Sequence, residues 1–235
     1  MRAKDESLYA AEALLRIHDK NGNFISPAEA IPILEESGLI IPVGKWIIQN
    51  AFSMCTECRK YYPEFRVSIN LSYVQILKSP LMMELKQMIE HSGISCSGII
   101  VELTESGYLE GTPAVRSVWN DMKQLRIQIA LDDFGTGYSN LMNISNLEPD
   151  IVKLDRGFTL KALSRSYEYQ LMQYVIEMVH KLNQYVCVEG VETKEDLEKI
   201  KALGPDLIQG YYYSKPCSRD EFLKKFFGYL NSYKL

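Results

Sequence analysis

IQIALDDFG, residues 127 to 135, is a short apolar, β-forming run that ends on two adjacent carboxylates. Asp132 and Asp133 are neighbours, and neighbouring strand residues point to opposite faces unless the strand ends or bends there. The Gly135-Thr136-Gly137 that follows supplies such a bend. On its own that G-x-G is a flexible turn and not a phosphate loop.

Six other runs of the same kind flank it: LYAAEALLRI (8 to 17), FRVSINLS (65 to 72), GIIVELTES (98 to 106), IVKLD (151 to 155), YVCVEGVE (185 to 192) and LIQGYYYS (207 to 214). Segments of helical period fall between them, at 27 to 37, 42 to 62, 80 to 92, 112 to 125, 165 to 183, 193 to 203 and 218 to 232. Ser26-Pro27 and Thr193 read as helix starts, the latter with Asp196 three residues on, close to a capping box. Strands alternating with helices imply a parallel sheet with crossover connections.

Seven strands suit either a doubly wound sheet or a (β/α)8 barrel one strand short, and the polar residues decide between them. Nearly every run carries acidic, amide or cationic groups: Glu12, Asn70, Glu102, Asp132 with Asp133, Lys153, Glu189 and Gln209. On an open sheet these would be scattered along one edge, whereas in a barrel they converge on one mouth. The sequence therefore predicts an α/β fold of the TIM-like barrel type.

An ionised carboxylate in a strand buried on both faces costs several kcal/mol unless it is paired or bound to metal. A single strand-end Asp or Glu is ordinarily a helix cap or a surface charge. Here Glu12, Glu102, Asp132, Asp133 and Glu189 together outnumber the strand-borne cations Arg16 and Lys153, and the excess charge calls for a counter-ion. His18, His91 and His180 lie away from the strand ends, so an all-oxygen shell of carboxylates and one amide predicts Mg²⁺ or Mn²⁺ and not Zn²⁺.

Thirty acidic against 26 basic residues exclude a surface built for polymeric nucleic acid. The longest apolar stretches fall far short of the roughly 20 residues of a membrane span, and no signal-peptide pattern opens the sequence, which gives a cytoplasmic expectation. The five cysteines read as reduced thiols, and Cys55 and Cys58, a lone C-x-x-C within a helical pattern, as two thiols on one helix face.

The runs also resemble a known family, the EAL domains, bacterial phosphodiesterases specific for cyclic di-GMP. The similar segments are EALLR (12 to 16), ISPAEAIPILEESGLI (25 to 40), VSINLS (67 to 72), ELTES (102 to 106), ALDDFGTGYSNL (130 to 141), IVKLDRGF (151 to 158), VEGVET (188 to 193) and QGYYYSKP (209 to 216), in the family's order. The resemblance implies a (β/α)8-type barrel that hydrolyses cyclic di-GMP to linear pGpG with two divalent ions and so sets the level of a second messenger. The alternative is a regulatory module that binds cyclic di-GMP without cleaving it. Carried over from the family, Glu12, Asn70, Glu102 and Asp132 hold the first metal, and Asp132 bridges to a second that Asp133 helps hold. Lys153 stands beside the attacking water, Glu189 is a general base or a water-mediated metal contact, and Gln209 completes the catalytic set. Arg16 contacts a substrate phosphate, and Glu105 braces the DDFGTG loop, which in the family also borders a homodimer surface. Asp155 and Glu192 take supporting roles.

One feature departs from the family, whose barrel opens with a strand about a dozen residues before the EAL letters; the corresponding segment here is MRAKDESLY. Residues 1 to 235 are thus expected to be a single EAL domain, N-terminally truncated relative to the family, in a protein that can carry upstream sensory or cyclase domains. The strand bearing Glu12 would then be an open edge, the chain would tend to associate, and extension upstream by about 20 residues would restore a strand and its connection.

Overall fold

The computed structural model describes residues 1–104, 112–136 and 147–228, and these divide into two compact units. One is built on residues 11–101 and 112–127, the other on residues 1–10, 102–104 and 128–228.

The first of these units contains β1 (Ala10–Ala13, all but its first residue), β2 (Ile17–His18), β3 (Phe24–Ile25), α1 (Pro27–Glu36), α2 (Ile40–Arg59), β4 (Arg66–Asn70), α3 (Tyr73–Lys78), α4 (Leu81–Ser92), the opening half of β5 (Ile99–Thr104) and α5 (Pro113–Gln124). Its ladder runs β1-β4-β5. Helix α2 packs on β4, burying Ile48, Phe52 and Cys55 with Val67 and Ile69. β2 and β3 form an antiparallel hairpin, with His18 opposite Phe24, of which the continuous run predicted over 8 to 17 reached only Ile17. Its turn is set by Asn-Gly chemistry and by Asp19, whose carboxylate accepts the backbone N–H groups of Asn21 and Asn23, each at 2.8 Å.

The other unit contains the end of β5, β6 (Gln128–Phe134), β7 (Ile151–Leu154), α6 (Arg156–Ser164), α7 (Ser166–Lys181), β8 (Tyr185–Val188), α8 (Lys194–Lys201), β9 (Leu207–Ile208) and α9 (Arg219–Phe227). β6, β7, β8 and β9 pair in parallel in that order, and every residue of β7 is buried, as strands covered on both faces must be. Thr193 and Asp196 complete the capping box at the start of α8. Helix α6 lies just before the helical segment predicted at 165 to 183. It begins at Asp155, whose carboxylate accepts the backbone N–H groups of Gly157 at 2.6 Å and Phe158 at 3.4 Å.

The outer edge of β9 carries a short antiparallel pairing with the N-terminal segment. Met1 N donates to Ile208 O at 2.9 Å, Ile208 N donates to Met1 O at 2.9 Å, and Ala3 N donates to Asp206 O at 2.8 Å. Residues 1 to 3 thus satisfy backbone groups that an unpaired edge would leave open. In the ladder of the other unit, β1 stands at the end of the order beside β4.

The segment after β9 crosses the β8 loop with no room for a side chain. A Cβ on Gly210 would lie 2.0 Å from Val191 O, a backbone atom that cannot step aside. Gly210→Ala is expected to destabilise the chain by about 1–3 kcal/mol through overpacking. Urea denaturation reads this as a lowered midpoint, and an unchanged midpoint would contradict it.

Candidate active site

Lys153 sits in β7 with its side chain only 4% exposed, and three carboxylates meet at its ammonium. Nζ lies 2.8 Å from Glu102 Oε2, 3.2 Å from Asp132 Oδ1 and 2.8 Å from Glu189 Oε1. One of the ammonium's N–H donors goes to Glu102 as a hydrogen bond, and Asp132 and Glu189 are held in ion-pair contact. The three acids come from different places: Glu102 from the buried middle of β5, Asp132 from β6, and Glu189 from the residue after β8, whose N–H donates to Leu154 O at 3.1 Å.

Asp132 reaches Lys153 because β6 carries a bulge. The register pairs Leu131 with Val152 but Phe134 with Leu154, so two residues, Asp132 and Asp133, stand against Lys153 alone. Asp133 has φ +59°, in the left-handed region that a non-glycine residue rarely adopts. The bend expected from Gly135-Thr136-Gly137 thus begins two residues earlier, at Asp133 itself, while Gly135 continues it at φ +101°. A Cβ on Gly135 would lie 3.0 Å from the ring of Phe158, so the turn is pressed onto α6. Asp132 Oδ1 also accepts the N–H of Asp133 at 2.9 Å, which fixes the carboxylate against its own backbone.

The counter-ion inferred from charge counting is therefore supplied in part by the chain. Three carboxylates and one ammonium sum to −3 + 1 = −2 in formal charge, with Glu102 and Lys153 each 3% exposed and Asp132 9%. Among the described residues no group of three or more His, Cys, Asp or Glu side chains forms a ready metal cage, because the ammonium stands where the acids meet. The donors are nevertheless all hard oxygens, and the net charge left over matches one divalent cation, so the residues present fit Mg²⁺ or Mn²⁺.

Glu12 and Asn70 form a second pair, in the other unit: Asn70 Nδ2 donates to Glu12 Oε1 at 2.8 Å across β1 and β4. Arg16, in that same unit, is exposed, with its guanidinium 5.8 Å from the Phe24 ring centroid and Nη1 donating to Leu15 O at 2.9 Å. Gln209 follows β9 with its side chain exposed, its backbone N–H donating to Val188 O at 2.9 Å and its carbonyl accepting from Val191 N at 3.3 Å. Glu105 lies outside the described residues. Asp155 and Glu192 are structural partners: Asp155 caps α6, and Glu192 Oε1 accepts from Arg156 Nε at 3.1 Å and Nη2 at 2.7 Å. Arg156 folds over Gly190, where a Cβ would lie 2.4 Å from its Cγ. This clasp on the loop that carries Glu189 was not foreseen; the signal available was Arg156 directly after a helix-capping aspartate.

The cysteines carry no part of this site. Cys55 and Cys58 are fully buried in α2, and Cys55 Sγ faces the carbonyls of Phe65 and Gly98. Burial pushes the Cys55 thiol up to about 11 and that of Cys187 up to about 12, the latter reinforced by the charge of Glu189. Both therefore stay protonated at neutral pH. A thiol-specific chromogenic reagent at pH 7.5 is expected to label the exposed Cys217 and the half-buried Cys96 in the native chain, and all five cysteines only after denaturation. Rapid native labelling of Cys55 or Cys187 would contradict this.

Parallel strands with acids and a lysine gathered at one cluster are the layout of barrel-type α/β proteins. The EAL domain family model matches residues 1–216, and the chain belongs to the EAL domain family. It is 36% identical over 205 residues to the uncharacterized protein y4lL of Sinorhizobium fredii, covering 87% of this chain and 24% of that protein. It is 32% identical over 205 residues to the cyclic di-GMP phosphodiesterase PdeF of Escherichia coli K12, covering 87% of this chain and 27% of PdeF. The chain thus spans about a quarter of the length of these curated relatives. Among solved structures it is similar to the EAL enzyme Bd1971 with cAMP and cyclic di-GMP bound, at a TM-score of 0.89 and 29% identity over 96% of this chain and 62% of that one. It is also similar to the PaMucR phosphodiesterase in complex with cyclic di-GMP, at 0.84 and 27% over 90% of this chain and 86% of that one. The fold is α/β of the EAL barrel type, as the strand-end acids predicted, with β1 rather than an earlier strand at the end of the ladder.

Proposed function

We propose that this chain hydrolyses cyclic di-GMP to linear pGpG with Mg²⁺ or Mn²⁺. The observation that carries the proposal is the Lys153 ammonium held by Glu102, Asp132 and Glu189 in a chain of the EAL family. Similarity to PdeF and to the PaMucR phosphodiesterase complexed with cyclic di-GMP supports the same substrate.

On the family's pattern Glu12, Asn70, Glu102 and Asp132 would each be a metal ligand, and Asp133 would help hold a second ion. Two divalent ions would supply the charge that acidifies a water and neutralises the phosphoryl oxygens. The chain's own contribution is to place groups around that water. Lys153 donates N–H groups toward the attacking oxygen and offsets developing negative charge. Glu189, in ion-pair contact with Lys153 at 2.8 Å, takes the proton from the water as general base. Gln209 completes the set, and the exposed guanidinium of Arg16 is available to a phosphate of the substrate. No side chain is needed as a nucleophile.

Glu105 would brace the loop after β6 by accepting backbone N–H groups, and the domain would work as a cytoplasmic homodimer. No helix among the described residues is long and apolar enough to cross a membrane. The test is incubation of the chain with cyclic di-GMP and Mn²⁺ or Mg²⁺, followed by chromatographic identification of products. Metal-dependent appearance of pGpG is the expected result. Binding of cyclic di-GMP without turnover would replace hydrolysis with the receptor reading.

A further inference from the structure

The three carboxylates around Lys153 are the acids that the proposed function needs, and the ammonium already occupies them. All three contacts lie within 3.2 Å, and the one to Glu102 is a hydrogen bond, so the ammonium is the ion-pair partner of each carboxylate. The lysine is 3% exposed and rises from a strand whose other three residues are also buried, so its head group has little freedom to leave. Its backbone is fixed on both sides, with Lys153 paired to Cys187 of β8 and the bulge of β6 on the other flank.

We propose that Lys153 is a resident counter-cation that competes with divalent metal for the carboxylates, and so sets how tightly this chain takes up its metal. The inference rests on the metal reading above but concerns a property that reading does not fix. Two opposing effects follow from the same geometry. The ammonium cancels one unit of negative charge and repels an incoming dication, which weakens binding. It also keeps three buried acids together while no metal is present, which preserves the arrangement that a metal requires. The net charge of −2 leaves binding favourable, at an affinity lower than that of the bare acids.

The competition separates the lysine from its neighbours by sign. Neutralising an acid of the cluster must weaken metal binding, and neutralising the lysine must strengthen it. A side chain that served only to hold the fold together would weaken binding when removed.

Isothermal calorimetry of Mn²⁺ binding to the substrate-free chain, without any measurement of turnover, tests this. Lys153→Met keeps the length and bulk of the side chain and removes the charge; it is expected to bind Mn²⁺ about tenfold more tightly than the unsubstituted chain, or better. Glu189→Gln, which removes one acid from around the ammonium, is expected to bind more weakly. If Lys153→Met is not folded by circular dichroism, Lys153→Gln is titrated in its place, with the same sign expected. Equal or weaker binding by the lysine variant, with normal binding by the unsubstituted chain, overturns the competition and leaves the metal reading intact. No Mn²⁺ uptake by either chain overturns both.

Discussion

Asp132→Ala is expected to lower turnover of cyclic di-GMP by at least about 10²–10³-fold while leaving the chain folded. The loss follows from the place of Asp132 in the β6 bulge, where its carboxylate meets Lys153 and its neighbour Asp133 is turned by a left-handed backbone. The stability expectation follows from charge. Removing one of three acids around a single ammonium changes the formal sum from −2 to −1, and Lys153 keeps Glu102 and Glu189 as partners at 2.8 Å. The metal-free variant should therefore melt at the same temperature as the parent or slightly above it. Substantial residual activity would remove Asp132 from the bridging role, and a fall of several degrees in melting temperature would show that it mainly supports the fold. Glu12→Ala should give a similar loss of activity, with the added loss of the 2.8 Å hydrogen bond from Asn70.

Lys153→Met should have the largest effect on stability. Withdrawing the shared ammonium leaves three carboxylates facing one another, two of them within strands and at most 9% exposed. Breaking a buried pair by deleting one partner costs about 3–5 kcal/mol, a large part of the roughly 5–15 kcal/mol that keeps a domain folded. Urea denaturation without metal measures the loss, and an unchanged midpoint would mean that solvent or relaxation already neutralises the acids. The double variant Lys153→Met with Asp132→Ala should be more stable than the sum of the two single effects predicts, because the second change relieves repulsion created by the first.

The strands and most of the helices were legible because their signals are local. β7 and β8 are four-residue runs, apolar but for Lys153, and α8 opens on a capping box that Thr193 and Asp196 announce in the sequence. The hairpin of β2 and β3 was harder to see because two-residue strands show no periodicity, although Asn21-Gly22 marks its turn. Candidate residues stood out as a set, since acids at successive strand ends have no cheap explanation. Their grouping did not. That Lys153 is shared by Glu102, Asp132 and Glu189 depends on the register of β6 against β7, and the extra residue of a bulge leaves no mark in the spacing of apolar positions. Asp155 and Glu192 show the converse: they match family motifs, and the structure uses them to cap α6 and to clasp Arg156.

The pairing of residues 1 to 3 with β9 bears on the order in which the chain folds. The Met1–Ile208 hydrogen bond joins residues 207 positions apart. Closing so long a loop is entropically costly until the intervening structure has formed and brought the ends near, and contacts of high sequence separation are slow to form. During synthesis residues 1 to 3 must also wait for residues 206 to 208 to leave the ribosome. The segment should therefore dock after β6, β7 and β8 are in place, leaving the edge of β9 exposed in late folding intermediates. Pulse-labelling hydrogen exchange would show this as late protection of the Ala3 and Ile208 amides relative to those of β7.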